Sequence, residues 1–116
     1  QPADFMAVYK GVPILLECKT SKRETSFPLY YSRTRAIPKH QVEAAQKIEK
    51  NGGKAFFLLR KDKPRAKRVF AVSYQTIQKF YRGKRKSVKW EQIEKEGIEL
   101  TAFTNPVRWH LKPILL

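Results

Sequence analysis

The feature that most constrains this chain is a pair of apolar runs, Asp4 to Tyr9 and Pro13 to Thr20, joined across Lys10-Gly11. A tight turn there predicts a β-hairpin. A two-residue loop also fixes the register, with Tyr9 opposite Val12, Ala7 opposite Ile14 and Asp4 opposite Glu17. Counted from the turn, Asp4 and Glu17 fall at a non-hydrogen-bonded pair, where Cβ atoms approach to roughly 5 Å. Side chains alternate along a strand, so Glu17 and Lys19 share one face while Leu16 and Cys18 take the other. Most other residues of the hairpin are apolar on both faces, which predicts strands buried on both sides. Two carboxylates at the end of such a hairpin repel and resist desolvation. A hard divalent cation relieves both costs. A surface hairpin with solvated acids, and Lys19 paired to Glu17, satisfies the same spacing, so the hairpin alone leaves both readings open.

Downstream, residues 21–37 form a polar, basic connection holding Phe27, Tyr30 and Tyr31. Pro38 suits a helix start. The helix should run to about Lys50 and end at Asn51-Gly52-Gly53. Lys54 to Arg60 reads as an apolar strand, Lys61 to Lys67 as a charged turn, and Arg68 to Val72 as another strand. Ser73 is a fitting N-cap for a helix over Tyr74 to Tyr81. After the basic loop Arg82 to Lys86, Ser87 with Trp90 and Glu91 predicts a second helix start, ending at Gly97. Ile98 to Thr101 reads as a short strand, and the tail from Asn105, with two prolines, as irregular or edge structure. Strands interleaved with helices predict an α/β sheet with helices on it. The length suits a single domain spanning residues 1–116.

Lys and Arg number 25 against 10 Asp and Glu, a formal net charge of +15. A surface this positive repels itself unless a polyanion neutralises it, and nucleic acid is the expected partner. No stretch reaches the roughly 18 apolar residues of a membrane span. The single cysteine, Cys18, cannot form an intrachain disulfide; with no secretory signal, it points to a reducing, cytoplasmic setting. Cys18 is expected in the core. No Gly-rich phosphate loop is present, so no nucleotide cofactor is expected.

Pro2-Ala3-Asp4 followed by Glu17-Cys18-Lys19 fits the PD-(D/E)xK nuclease pattern, with one extra residue between Pro and Asp. Val8-Tyr9-Lys10-Gly11, Thr25-Ser26-Phe27-Pro28-Leu29, His40-Gln41 and Gly52-Gly53 before an aromatic strand occur in the same order. This series, over roughly Asp4 to Leu59, resembles the RecU-type Holliday-junction resolvases. The resemblance implies a restriction-endonuclease-like mixed central sheet flanked by helices. It implies a Mg²⁺-dependent (or Mn²⁺-dependent) endonuclease that acts as a homodimer on branched DNA, the four-way junction. Asp4 and Glu17 would bind metal with the backbone carbonyl of Cys18. Lys19 would orient the attacking water and stabilise the phosphate, and Gln41 would support the site. Thr25 to Leu29, Ser26 included, would line the DNA-binding face. Two departures stand out. The connection from Leu29 to His40 is longer and more basic than the family pattern. The N-terminal helix with its acidic residue, and the stalk that enters the junction, should precede Asp4: either they lie upstream of Gln1, or this chain completes its site differently.

Gln41 recurs with Ala45 and Ile48 at helical spacing, on the core-facing stripe, where a polar group needs a partner. The active-site edge offers one; a backbone contact at the helix start is the other. His40 suits a phosphate contact or plain exposure. Lys22, Arg23, Arg33, Arg35 and Lys39, with Tyr30 and Tyr31 between them, suit a grip on a nucleic-acid backbone beside the acids. Two rivals remain: a PD-(D/E)xK nuclease of restriction or nicking type, and a non-catalytic basic DNA-binding module whose carboxylates are structural.

Overall fold

The computed structural model describes residues 5–63, 66–100, 102–104 and 107–109. The hairpin forms as expected from β1 (Phe5–Tyr9) and β2 (Val12–Ser21), with Tyr9 opposite Val12 and Phe5 opposite Leu16. Lys10 and Gly11 have φ of 51° and 79°, the positive pair that a two-residue hairpin loop matched to strand twist requires. Asp4, the next position in that register, lies outside the described residues.

One expectation fails. β1 is not buried on both sides: Phe5 and Met6 are half exposed and Val8 is 72% exposed. The strand order β1-β2-β6-β7-β9 puts β1 at the sheet edge, and an apolar run on an edge strand reads in sequence like one in the middle.

After β2 come three short strands, β3 (Ser26–Pro28), β4 (Tyr30–Tyr31) and β5 (Thr34–Arg35), within what reads in sequence as a plain connection. α1 (Lys39–Lys50) follows Pro38 as its N-cap. β6 (Lys54–Lys63) pairs parallel with β2, Glu17 opposite Phe57 and Lys19 opposite Leu59. β7 (Ala66–Val72) returns antiparallel to β6. These strands extend past the expected ends into the charged turn, where Asp62 sits 3.6 Å from Arg60 and 3.8 Å from Lys67. α2 (Tyr74–Arg82) starts at Ser73, whose hydroxyl accepts from the Thr76 amide. β8 (Ser87–Lys89) then pairs with β3, Phe27 opposite Val88. The expected helix start at Ser87 is therefore three residues early: α3 (Trp90–Glu96) has Lys89 at its N-cap, because residues 87–89 are taken into that strand pair. β9 (Ile98–Leu100) pairs antiparallel with β7, and β10 (Ala102–Thr104) pairs with β11 (Val107–Trp109). The expectation of an irregular or edge tail thus gives way, over residues 107–109, to a small antiparallel pair.

The five-stranded sheet is mixed, and the helices cover one of its faces. Leu15, Phe57, Leu59, Phe70 and Val72 meet Val42 and Ala45 of α1, Ile77 and Phe80 of α2, and Ile93 of α3. Trp90 ties this layer together, its ring edge-on to Phe27 at 5.8 Å and tilted against Phe70 at 6.1 Å. On the reverse face Ile14, Leu16, Leu58, Val69, Ala71 and Leu100 form a smaller cluster. No described helix is long and apolar enough to cross a membrane.

The C-terminal end of α1 meets the start of β2 at Gly53. A Cβ at this position would lie 2.6 Å from Ile48 Cγ2 and 2.8 Å from the Pro13 carbonyl oxygen. Backbone cannot yield as a flexible side chain can, so Gly53→Ala should cost about 1–3 kcal/mol of stability. In urea titrations the midpoint should fall at unchanged slope; an unmoved midpoint would mean that the contact relaxes freely.

Candidate active site

Glu17 and Lys19 lie on the helix-covered face of β2, on the same side as Leu15. Glu17 is 2% exposed and Lys19 is half-buried. A carboxylate in such a place costs free energy unless partners or a cation compensate it. Cys18 takes the opposite face, as alternation requires, but it is exposed. The expectation of a core cysteine fails because the reverse-face cluster extends along β2 only over Ile14 and Leu16.

Parallel strands need a crossover between them, and α1 supplies it from β2 to β6. The approach of Gly53 to Pro13 fixes the helix C-terminus at the start of β2. The N-terminal turn of α1 therefore lies toward the other end of β2, where Glu17 and Lys19 are. Gln41 belongs to that turn. Its Oε1 is enclosed and accepts no hydrogen bond from a described group. A buried acceptor without a donor costs about 1–3 kcal/mol.

A buried carboxylate and an enclosed amide oxygen are the donor chemistry that hard divalent cations and their bound waters take. The residues present thus fit a divalent-cation centre. Among the described residues no group of three or more His, Cys, Asp or Glu side chains is placed to hold a metal; Asp4, the second acid of the expected pair, lies outside them.

The expected DNA-binding residues follow β2 directly. Lys22, Arg23 and Thr25 are exposed and Ser26 is half-buried in β3. The Ser21 hydroxyl accepts from the Arg23 amide, and Trp90 holds the segment by donating its indole N–H to the Arg23 carbonyl and its amide to Thr25. Arg33, Lys39 and His40 are exposed. His40 faces the outer side of α1 with Glu43 and Lys47, apart from the groove between α1 and α2 that Lys39 lines.

Arg82, at the end of α2 and the first residue of the basic loop 82–86, lines that same groove with Arg35 and Lys39. Sequence reasoning left one feature of this end unread: Tyr81 bonds across it to the residue 29–37 segment. It has no signal in local spacing, because its partners Leu29 and Ile37 are more than forty positions away.

Compared with known proteins, the chain matches the family model "Recombination protein U" over residues 1–114. The chain belongs to the RecU family. Relatives include a protein named Holliday junction resolvase RecU from Shouchella clausii, 32% identical over 89% of this chain and 47% of that protein. RecU of Pediococcus pentosaceus is 28% identical over 96% of this chain and 54% of its own length. RecU of Staphylococcus carnosus is 30% identical over 96% and 52%. The chain thus spans about half the length of the curated RecU relatives it matches.

Proposed function

We propose that this RecU-family chain carries the catalytic sheet of a divalent-metal-dependent endonuclease that cuts branched DNA, the four-way junction in particular. The observation that carries the reading is Glu17: a carboxylate 2% exposed, two residues from Lys19 on one face, with the enclosed Gln41 Oε1 on the helix turn packed toward that end. The names of its relatives, Holliday junction resolvases, support the substrate.

Glu17, Asp4 and the Cys18 carbonyl would hold the cation. The hairpin register has paired numbers summing to 21 from Tyr9 to Phe5, and one further step of the same arithmetic would set Asp4 opposite Glu17. When bound, the cation supplies Lewis acidity and a water of lowered pKa. In hydrolysis a water oxygen would join phosphorus as the bridging oxygen leaves with a proton. Lys19 holds the attacking water and offsets charge on the phosphate. Gln41 Oε1 accepts a hydrogen bond from the water and so orients it. A homodimer would give the two opposed cuts that a two-fold junction needs, which light scattering of the DNA complex would detect as two chains per junction.

The test is incision of a synthetic four-way junction, a flap and a linear duplex, each with and without Mg²⁺. Paired, Mg²⁺-dependent cuts confined to the junction support resolution. Cutting of linear duplex at equal rate favours the restriction or nicking reading, and binding with no incision under any divalent cation favours the non-catalytic module.

A further inference from the structure

The connection between Leu29 and α1 folds into a hairpin of its own. Tyr30 pairs with Arg35 and Tyr31 with Thr34, leaving Ser32 and Arg33 as a two-residue loop with Ser32 at φ 60°. Six residues with so small a ladder have no stability by themselves. Contacts from α2 make up the difference. The Tyr81 hydroxyl donates to the Leu29 carbonyl at 2.7 Å and accepts from the Ile37 amide at 3.0 Å, so one phenol bridges both sides of the hairpin's neck. The Ala36 amide closes the same neck onto Leu29 at 2.8 Å. The Arg35 guanidinium lies 3.8 Å over the Tyr81 ring and donates to the Ile37 carbonyl, while Tyr30 meets that ring edge-on at 5.4 Å. Burial pushes the Tyr81 phenol up from its ordinary pKa, so it stays protonated and able to donate.

Beyond this fixed neck the tip is bare. Tyr31 is 53% exposed and Arg33 is exposed beside it. Arg35, Lys39 and Arg82 line the groove at the base, and none of them pairs with a carboxylate among the described residues. An aromatic ring held out on a rigid support among cations suits a nucleobase, since every base has a π-face and the backbone beside it is anionic. We propose that the 30–35 hairpin is a preformed DNA-contacting finger: Tyr31 stacks on an exposed base at the branch, Arg33 meets the adjoining phosphate, and Tyr81 is the positioning residue that locks the finger to α2. This rests on the branched-DNA reading above and adds to it a contact outside the Asp4–Glu17–Lys19 centre.

The probe is a four-way junction carrying 2-aminopurine at the branch, titrated without divalent cation, with a linear duplex as reference. Wild type and Tyr31→Phe should change the 2-aminopurine signal equally. Tyr31→Ala should lose that change and bind the junction about 5- to 100-fold more weakly, with duplex affinity altered less than twofold. Tyr81→Phe keeps the ring under Arg35 but removes the hydroxyl bridge; it should weaken junction binding in the same direction and reduce the 2-aminopurine change, with duplex affinity altered less than twofold. The proposal is overturned if Tyr31→Ala matches wild type in signal and affinity, or loses junction and duplex equally. A Tyr81→Phe protein that melts with wild type and binds the junction as tightly removes the locking role. If Tyr81→Phe melts far lower, the Tyr31 pair alone decides. All these binding arms run without metal, so a chain that never incises defeats the nuclease reading without touching this one.

Discussion

Glu17→Gln is expected to abolish incision while leaving DNA binding intact. The amide is nearly isosteric with the carboxylate, so the packing of a residue only 2% exposed should hold. What disappears is an anionic oxygen for a divalent cation. Such a cation is worth several kcal/mol of charge stabilisation in the transition state, and each 1.36 kcal/mol is tenfold in rate. The loss should be ~10³-fold or more. Affinity for the junction without metal should hold or rise, because a negative charge facing phosphate is gone. Melting separates this from a structural role. A ligand present at 100 times its dissociation constant stabilises by about 2.7 kcal/mol, roughly 8–16 °C in a chain of this size. Wild type should show that rise on adding Mg²⁺ or Mn²⁺, and Glu17→Gln should not. A variant that cuts at near wild-type rate would remove Glu17 from the site. One that loses binding and melts early would make Glu17 a structural acid.

That site was legible from the hairpin because two rules act locally. The Lys10-Gly11 turn fixes register, and strand alternation fixes the face, so Glu17 and Lys19 fall together with no knowledge of the rest of the chain. The helix over 39–50 was equally plain, with Pro38 before it and Gly52 after it at φ 88°. What the sequence hid depends on distant partners. β3 exists because Phe27 pairs with Val88, and that same pairing moves the start of α3 to Trp90. The 30–35 finger stands because of Tyr81, and nothing within ten residues of it announces the bond. The exposure of β1 was misjudged for a related reason: an apolar run gives the local preference of a strand, while its place in the sheet is set by which strands pair beside it.

Junction binding should weaken steeply with salt, at a log–log slope of about −5 to −9 if six to ten phosphates are met. Between roughly 50 and 200 mM salt that is a loss of about 10³–10⁵ in affinity. The net charge of +15 motivates the size, and the structure sorts the cations that should carry it. Some basic side chains are already paired with carboxylates. Arg68 donates to both Glu94 and Glu99, Lys79 pairs with Glu96, and Lys63 lies 2.8 Å from Glu24, whose carboxyl it holds below the usual range. Asp62 serves Arg60 and Lys67. By contrast Lys22, Arg23, Arg33 and Lys39 form no ion pair with a carboxylate among the described residues, and all four are exposed. Each of these that meets a phosphate should flatten the slope by about one when replaced by alanine. Arg68→Ala, at a cation with two carboxylates of its own, should leave the slope unchanged. Arg35→Ala should do more than remove one phosphate contact, because its guanidinium also stacks on Tyr81 and bonds the Ile37 carbonyl. Fluorescence-anisotropy titrations of one junction across five salt concentrations decide the matter. A wild-type slope near zero defeats electrostatic binding. A slope that falls as much with Arg68→Ala as with Arg33→Ala would mean that the charge acts as a diffuse field and not through these particular contacts.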